Sequence, residues 1–497
     1  MNQYPRPARS LQEVLVSGCD ERIFTHSETG RNKYFLNPGQ SEGLFQRGSC
    51  TCGTLTAGGL ISANAFLSSY PRRLYESLLA EQAGRIRSLF SPEDEFDVFF
   101  GPSGSDMMYL PLLFQALLQP NKPIVNIVSC PEELGSGSKL AAEAKYYAEF
   151  NQFGERVPKD ELLHPNLTAR VDYLAARGDD GRIVDRKEVI KGIVAENPNA
   201  ALIGNLVFGS KSGIVDDLDI VDEVDADVMW VVDMCQFRTD NALVHSLLKK
   251  GVMVMITGSK FFQAPPFCGA LLVPRSWTEK LRQVADFTPV SYFHRLFSSY
   301  DFPANLPAMR AQLAPRENDG LRLRWHVALD EMEAYAQWPA NESNALIRAW
   351  NLAISERLQS SPYFELMPDQ SLTNDSILSF RVKVSGGYLN NAQLKTLFSE
   401  LVSWMHSYIL DVQQNAQLIA QLDCLGSFAH LAQHNNYVYP ELDASFDLDI
   451  KQGRHPVIEK QLPLGESYVA NDVFLDRNTQ QIIMITGPNM SGKSAIL

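Results

Sequence analysis

The chain has 497 residues, 45% of them hydrophobic and 21% charged, and a net charge of −14. These values suit a globular protein of two or more domains and exclude a disordered or collagen-like chain. A pI near 5.2 removes any general attraction to nucleic acid, and residues 408–497 carry ten Asp or Glu against five Lys or Arg.

The cysteines, at 19, 50, 52, 130, 235, 268 and 424, are scattered. Cys50 and Cys52 form a C-x-C without a second pair, a poor zinc pattern. Reduced thiols are the simpler reading. The N-terminus MNQYPRPARS lacks the apolar stretch of a secretion signal, and no apolar run reaches membrane-spanning length. A cytoplasmic protein with no membrane partner is predicted.

In chain order, residues 1–49 are rich in Gly, Ser, Asn and Arg and read as an irregular arm. Residues 74–89 have helical periodicity. Residues 96–100 (FDVFF) read as a buried strand, ending in the small hydroxylated loop 101–106 (GPSGSD), with a helix over 107–118. Further strands are expected at 124–128, 201–208, 227–232, 252–256 and 269–273, with helix-like stretches between several of them. This alternation predicts an α/β domain over 50–285 with a largely parallel sheet. Residues 286–400 read as a smaller α+β domain, with helices at 321–338 and 344–359 and a strand at 377–384. A long helix is expected at 408–435, within a helical segment 401–435. A last segment, 436–497, carries short strand-like pieces over 447–480 and then an apolar strand at 482–486.

Three segments of the α/β region carry chemistry. The loop 101–106 between strand and helix offers backbone N–H groups and hydroxyls to a phosphate. The stretch DVMWVVDMCQ (227–236) delivers Asp233 at the carboxyl end of a strand, where α/β proteins bind ligands. Lys260 follows another apolar strand, behind Thr257, Gly258 and Ser259.

This pattern resembles the fold-type I pyridoxal-phosphate enzymes, most nearly the class V aminotransferase and cysteine desulfurase branch. There an Asp at a strand end is followed closely by a Gln or His, then by a Lys in an S-G-H-K-like tetrapeptide. Asp233, Gln236 and Thr257-Gly258-Ser259-Lys260 fit. The resemblance implies a pyridoxal 5'-phosphate cofactor, an amino-acid substrate and a homodimer. It implies that Lys260 carries the cofactor through its amine and then moves protons. Asp233 would keep the pyridine nitrogen protonated, and Gln236 would donate to the ring oxygen. Ser103, Gly104, Ser105, Thr257 and Ser259 would hold the phosphate, and Ser210 would add a further contact. The sequence departs from the branch at the ring-stacking His. Ser129-Cys130-Pro131-Glu132-Glu133 stands there, and Glu133 is the candidate substitute. Arg381 is one candidate for gripping a substrate carboxylate, although a surface strand Arg is the simpler reading. The reaction, transfer or lyase, stays open.

The C-terminal stretch carries a different pattern. Residues 482–494 read IIMITGPNMSGKS, an apolar run leading into G-x-x-x-x-G-K-S. The loop Gly487-Pro488-Asn489-Met490-Ser491-Gly492-Lys493-Ser494 resembles that of the MutS family of DNA mismatch-repair ATPases. Three companions agree: GRHPVIE at 453–459, YVAND at 468–472 and LDCL at 422–425. The resemblance implies that the loop cradles ATP, with Ser494 on Mg²⁺ and Tyr468 stacked on adenine. The family's Walker B acids and DNA-binding domains are not found here, so ATP hydrolysis is not expected. DNA enters as a partner only through this resemblance.

The two patterns meet near 395–410 without a Pro/Gly/Ser linker, so one helix is expected to pass from one into the other. A chimera or truncated reading frame is the expectation. A mismatch-repair protein with a non-catalytic N-terminal scaffold is the alternative.

Overall fold

The computed structural model describes residues 9–34, 36–39, 53–70, 73–91, 95–237, 240–368, 376–463 and 466–486. The chain divides into two compact units, residues 1–390 and 391–497.

The first unit is built on a seven-stranded sheet. Its strands are β1 (Phe96–Gly101), β2 (Ile124–Ser129), β3 (Ala169–Leu174), β4 (Ala201–Val207), β5 (Val228–Asp233), β6 (Met253–Thr257) and β7 (Gly269–Pro274). Their order is β1-β7-β6-β5-β4-β2-β3. The β3-β2-β4-β5-β6 ladder is parallel, and β7 runs antiparallel to both β6 and β1. The α/β class with a mainly parallel sheet therefore holds.

The apolar runs form strands because both sheet faces are covered. Side chains alternate between two cores. Val98, Phe100, Trp230, Val232, Val254 and Ile256 face one cluster. Phe99, Met229, Val231, Met253 and Met255 face the other. Burying each such side chain contributes roughly 1.5–3 kcal/mol. The edge strand β3 was not predicted. Its Arg170 and Asp172 pair with each other at 2.6 Å, and none of its six positions is buried, so it reads as polar loop.

The helix Asp319–Ala336 seals the first core against the helices Ala57–Ser69 and Tyr75–Phe90. It starts where Asn318 caps the Leu321 N–H at 2.9 Å. Its Arg324 is fully buried. The guanidinium donates to the carbonyls of Phe267 (2.8 Å), Ser17 (2.7 Å) and Gly18 (2.9 Å). These bonds tie the N-terminal arm to the loop before β7. Burial pushes this guanidinium down from its ordinary value, and the carbonyls compensate.

A three-stranded sheet follows, β8 (Phe364–Leu366), β9 (Phe380–Val384) and β10 (Gly387–Tyr388), in the order β10-β9-β8. The helix Ala340–Gln359 packs on β8.

In the second unit the helices Asn391–His406 and Ile409–Asn435 are separate. This corrects the expected single helix across the junction. At the break the Ser407 and Tyr408 N–H groups bond three residues back, to Trp404 and Met405. Such bonds tighten and end a helical turn. No residue of the helix Ile409–Asn435 is buried. The strands β11 (Leu448–Gly453) and β12 (Asn471–Leu475) pair antiparallel. Between them, His455 caps the short helix Pro456–Gln461. The strand expected at 482–486 is absent: residues 481–486 have no assigned structure. Ile482 and Met484 are 83% and 84% exposed. An apolar run becomes a strand only against a neighbouring strand, and β11–β12 is a two-stranded sheet. Residues 487–497 lie outside the described residues.

Among the described residues no helix is long and apolar enough to cross a membrane, and no cluster of His, Cys, Asp or Glu could hold a metal.

Two predictions concern this framework. Arg324→Ala orphans several buried carbonyls and leaves a cavity, so the urea-unfolding free energy of the first unit should fall by about 3 kcal/mol. The second concerns Asp301, which accepts the Ser298 N–H at 2.8 Å and Gln152 at 2.9 Å. Burial raises its carboxyl to about 6. The folded state therefore binds this proton more tightly than the unfolded state. Asp301 destabilises progressively as pH rises from about 4 to 6, by about 3 kcal/mol at most. Urea midpoints across this window should fall less for Asp301→Asn than for the wild type.

Candidate active site

The carboxyl ends of β1, β5 and β6 lie at one edge of the sheet, with the start of β7 between β1 and β6. Gly269 opens β7 opposite both Gly101 and Thr257. A Cβ on Gly269 would meet the Ser103 carbonyl at 2.6 Å. Glycine thus lets the backbone of β7 touch the loop after β1. A cavity of about 240 Å³ opens at this edge.

The cavity collects seven of the sequence candidates: Ser103, Gly104, Ser105, Asp233, Thr257, Ser259 and Lys260. Asp233 ends β5, and one of its oxygens accepts the Cys235 N–H at 2.8 Å. Thr257 ends β6 and donates its hydroxyl to the Cys235 carbonyl at 2.8 Å. Ser103 donates to Asp106 at 2.6 Å. Ser105 and Ser138 hydroxyls are 3.1 Å apart. Gly104 packs so tightly that an added Cβ would meet the Cys235 sulfur at 2.5 Å.

Other candidates do not line the cavity. Gln236 is buried. Ser210 donates to Glu133, whose carboxylate also accepts the Ser212 N–H at 2.7 Å and hydroxyl at 2.5 Å. Glu133 therefore holds the 210–212 turn. Arg381 donates to Glu365 at 2.6 Å and lies 3.9 Å over the Tyr388 ring. Tyr468 is half-buried, in the second unit. Gly487, Pro488, Asn489, Met490, Ser491, Gly492, Lys493 and Ser494 lie outside the described residues, as do Cys50 and Cys52.

Several lining residues escaped the sequence reading. Gly135, Ser136 and Ser138 come from a GSGS stretch whose small, hydroxylated character was a usable signal. Arg22 and Tyr34 reach the cavity from the N-terminal arm, and no local pattern announces that. Phe267, with a left-handed φ of 75°, lines it too. Cys130, Phe237 and Gln263 also have left-handed backbones, at φ 50°, 45° and 53°. Non-glycine residues rarely adopt this conformation, which concentrates at functional sites.

The electrostatics are local. Burial, then the Asp233 carboxylate, pushes the Cys235 thiol well above its ordinary range, and Lys260 pulls against this. Burial raises Cys268 to about 11. Both cavity cysteines are therefore neutral thiols at physiological pH, not nucleophiles. Burial opposes the charge of Arg22, but the neighbouring Asp20 more than reverses that and holds the guanidinium charged.

No family model matches the chain. Among curated proteins, DNA mismatch repair protein MutS of Flavobacterium johnsoniae is 70% identical over 101 residues, 20% of this chain and 12% of that protein. MutS of Flavobacterium psychrophilum is 60% identical over 124 residues, 25% of this chain and 14% of that protein. The chain thus spans only 12–14% of the length of these relatives. Solved structures that align include a cysteine desulfurase of Thermococcus onnurineus NA1 (TM-score 0.44, 13% identity, 70% of this chain and 81% of that one). A cysteine desulfurase of Escherichia coli aligns with TM-score 0.46 and 15% identity, over 71% of this chain and 81% of that one. Likeness at this level leaves function to the chemistry of the site itself. The C-terminal part of the chain is similar to one stretch of MutS, while the solved structures that align with the chain are of a different kind of protein.

Proposed function

We propose that the first unit is a pyridoxal-phosphate-dependent enzyme acting on an amino acid, as a transferase or lyase. One observation carries this reading: Asp233 ends one strand, Lys260 follows the adjacent parallel strand, and both line one cavity with the hydroxyl-rich loop 103–105. The donor set fits the cofactor. Gly104 lets the loop pack against Cys235, where a side chain would not fit, and Ser105, Ser138 and Ser259 bring hydroxyls to the same cavity. A carboxylate and an amine complete the set.

When bound, the cofactor supplies an electron sink for a carbanion beside the substrate nitrogen. The Lys260 amine holds it and afterwards moves a proton at the substrate carbon. Asp233, fixed by the Cys235 N–H, keeps the ring nitrogen protonated. Ser105 and Ser259 hold the phosphate with the backbone at Gly104. The protein works as a cytoplasmic homodimer.

Purified protein given pyridoxal 5'-phosphate should turn yellow, and Lys260→Ala should stay colourless. Equal absorbance in both would sink the reading. Gly104→Ala crowds the Cys235 sulfur, so the cofactor concentration for half-saturation should rise at least about tenfold.

A second reading concerns the other unit, where 70% identity to MutS over 101 residues favours ATP with Mg²⁺ at Lys493 and Ser494, and DNA as a distant partner. Heat released on adding Mg-ATP and lost in Lys493→Ala would support it; identical titrations would dismiss it.

A further inference from the structure

The N-terminal arm places one guanidinium in the cavity. Arg22 sits in the single turn Glu21–Ile23, where the Asp20 side chain accepts its backbone N–H at 3.0 Å. It is 8% exposed and lines the same cavity as Lys260 and Asp233. Asp20 grips one edge of the guanidinium, accepting Nε at 2.7 Å and Nη2 at 2.6 Å. Nη2 also reaches the Ser103 hydroxyl at 3.2 Å and the Tyr147 hydroxyl at 3.4 Å. The plane is held by the Phe267 ring, 4.8 Å away, and the Tyr147 ring, 5.4 Å away.

This arrangement uses Nε and Nη2 and leaves Nη1 without a hydrogen-bond partner among the described residues. Fixing a long cationic side chain by a carboxylate and two rings removes most of its rotamer freedom. Such a fixed edge is suited to an oxyanion, above all a carboxylate. Other cavity cations are otherwise engaged. The Lys211 amine donates to the Leu134 carbonyl at 2.5 Å, and Lys260 is assigned to the cofactor. Arg381 is spent on Glu365, away from the cavity.

We propose that Arg22, through Nη1, binds the carboxylate of the amino-acid substrate and so sets specificity for acids over their amides. The inference rests on the cofactor reading above. Asp20 and Tyr147 are positioning residues that aim the guanidinium. The arm is then part of the active site.

The test uses full-length protein loaded with pyridoxal 5'-phosphate. The standard amino acids are titrated against the yellow band. The one that shifts it at the lowest concentration is compared with its own amide. The variants are Arg22→Lys, which keeps the charge but not the fork, and the double variant Asp20→Asn/Arg22→Gln, which removes both buried charges together. Wild type should favour the acid over the amide. Both variants should lose about ten- to hundredfold of that preference, while half-saturation by the cofactor stays within about twofold. Unchanged acid preference in the variants overturns the inference. So does a wild type that treats acid and amide alike or responds to no amino acid. A loss of cofactor affinity with intact acid preference places Arg22 on the phosphate and overturns it too. A colourless wild type sinks the cofactor reading and this inference together.

Discussion

The candidate site depends on one close backbone approach. Strand β7 is the reversed strand of the large sheet, inserted between β1 and β6. Its first residue, Gly269, lies against the Ser103 carbonyl. Without that contact the loop after β1 could not sit beside the ends of β5 and β6. The hydroxyl-rich loop, Asp233 and Lys260 would then belong to separate surfaces. Arg324 reinforces the same place, holding the Phe267 carbonyl two residues before Gly269 and the arm carbonyls at Ser17 and Gly18.

Charge is arranged against the average. The chain as a whole is strongly acidic, yet the cavity is lined by Arg22, Lys211 and Lys260 with Asp233 as the facing carboxylate. A recessed cluster of one sign focuses potential locally whatever the net charge. An anionic small molecule thus meets a locally cationic edge of the sheet on a chain that is acidic on average. Burial keeps the two cavity thiols neutral, so they do not cancel that field.

The central strands were legible because each is a short apolar run closed by a turn or a polar residue, and because both faces are buried. Asp233 and Lys260 were legible because such strands deliver the residue that follows them to one edge. What could not be read depends on distance along the chain. Arg22 meets Ser103 and Tyr147 across 81 and 125 residues. β3 is an edge strand whose Arg170 and Asp172 look like loop chemistry. The run at 482–486 has strand composition, but composition cannot supply a neighbouring strand. The helical character read across 401–435 likewise hid the break at Ser407 and Tyr408.

The helix Ile409–Asn435 has 27 residues and buries none of them. Helices in proteins draw most of their stability from packing an apolar face. This one must rely on its length and its internal bonds. Its amide hydrogens can therefore exchange with solvent through local fraying, turn by turn. Those of β5 and β6 are released only when the sheet opens. A hydrogen-exchange map of the chain would carry a step close to where the two sequence patterns meet, a boundary written in kinetics.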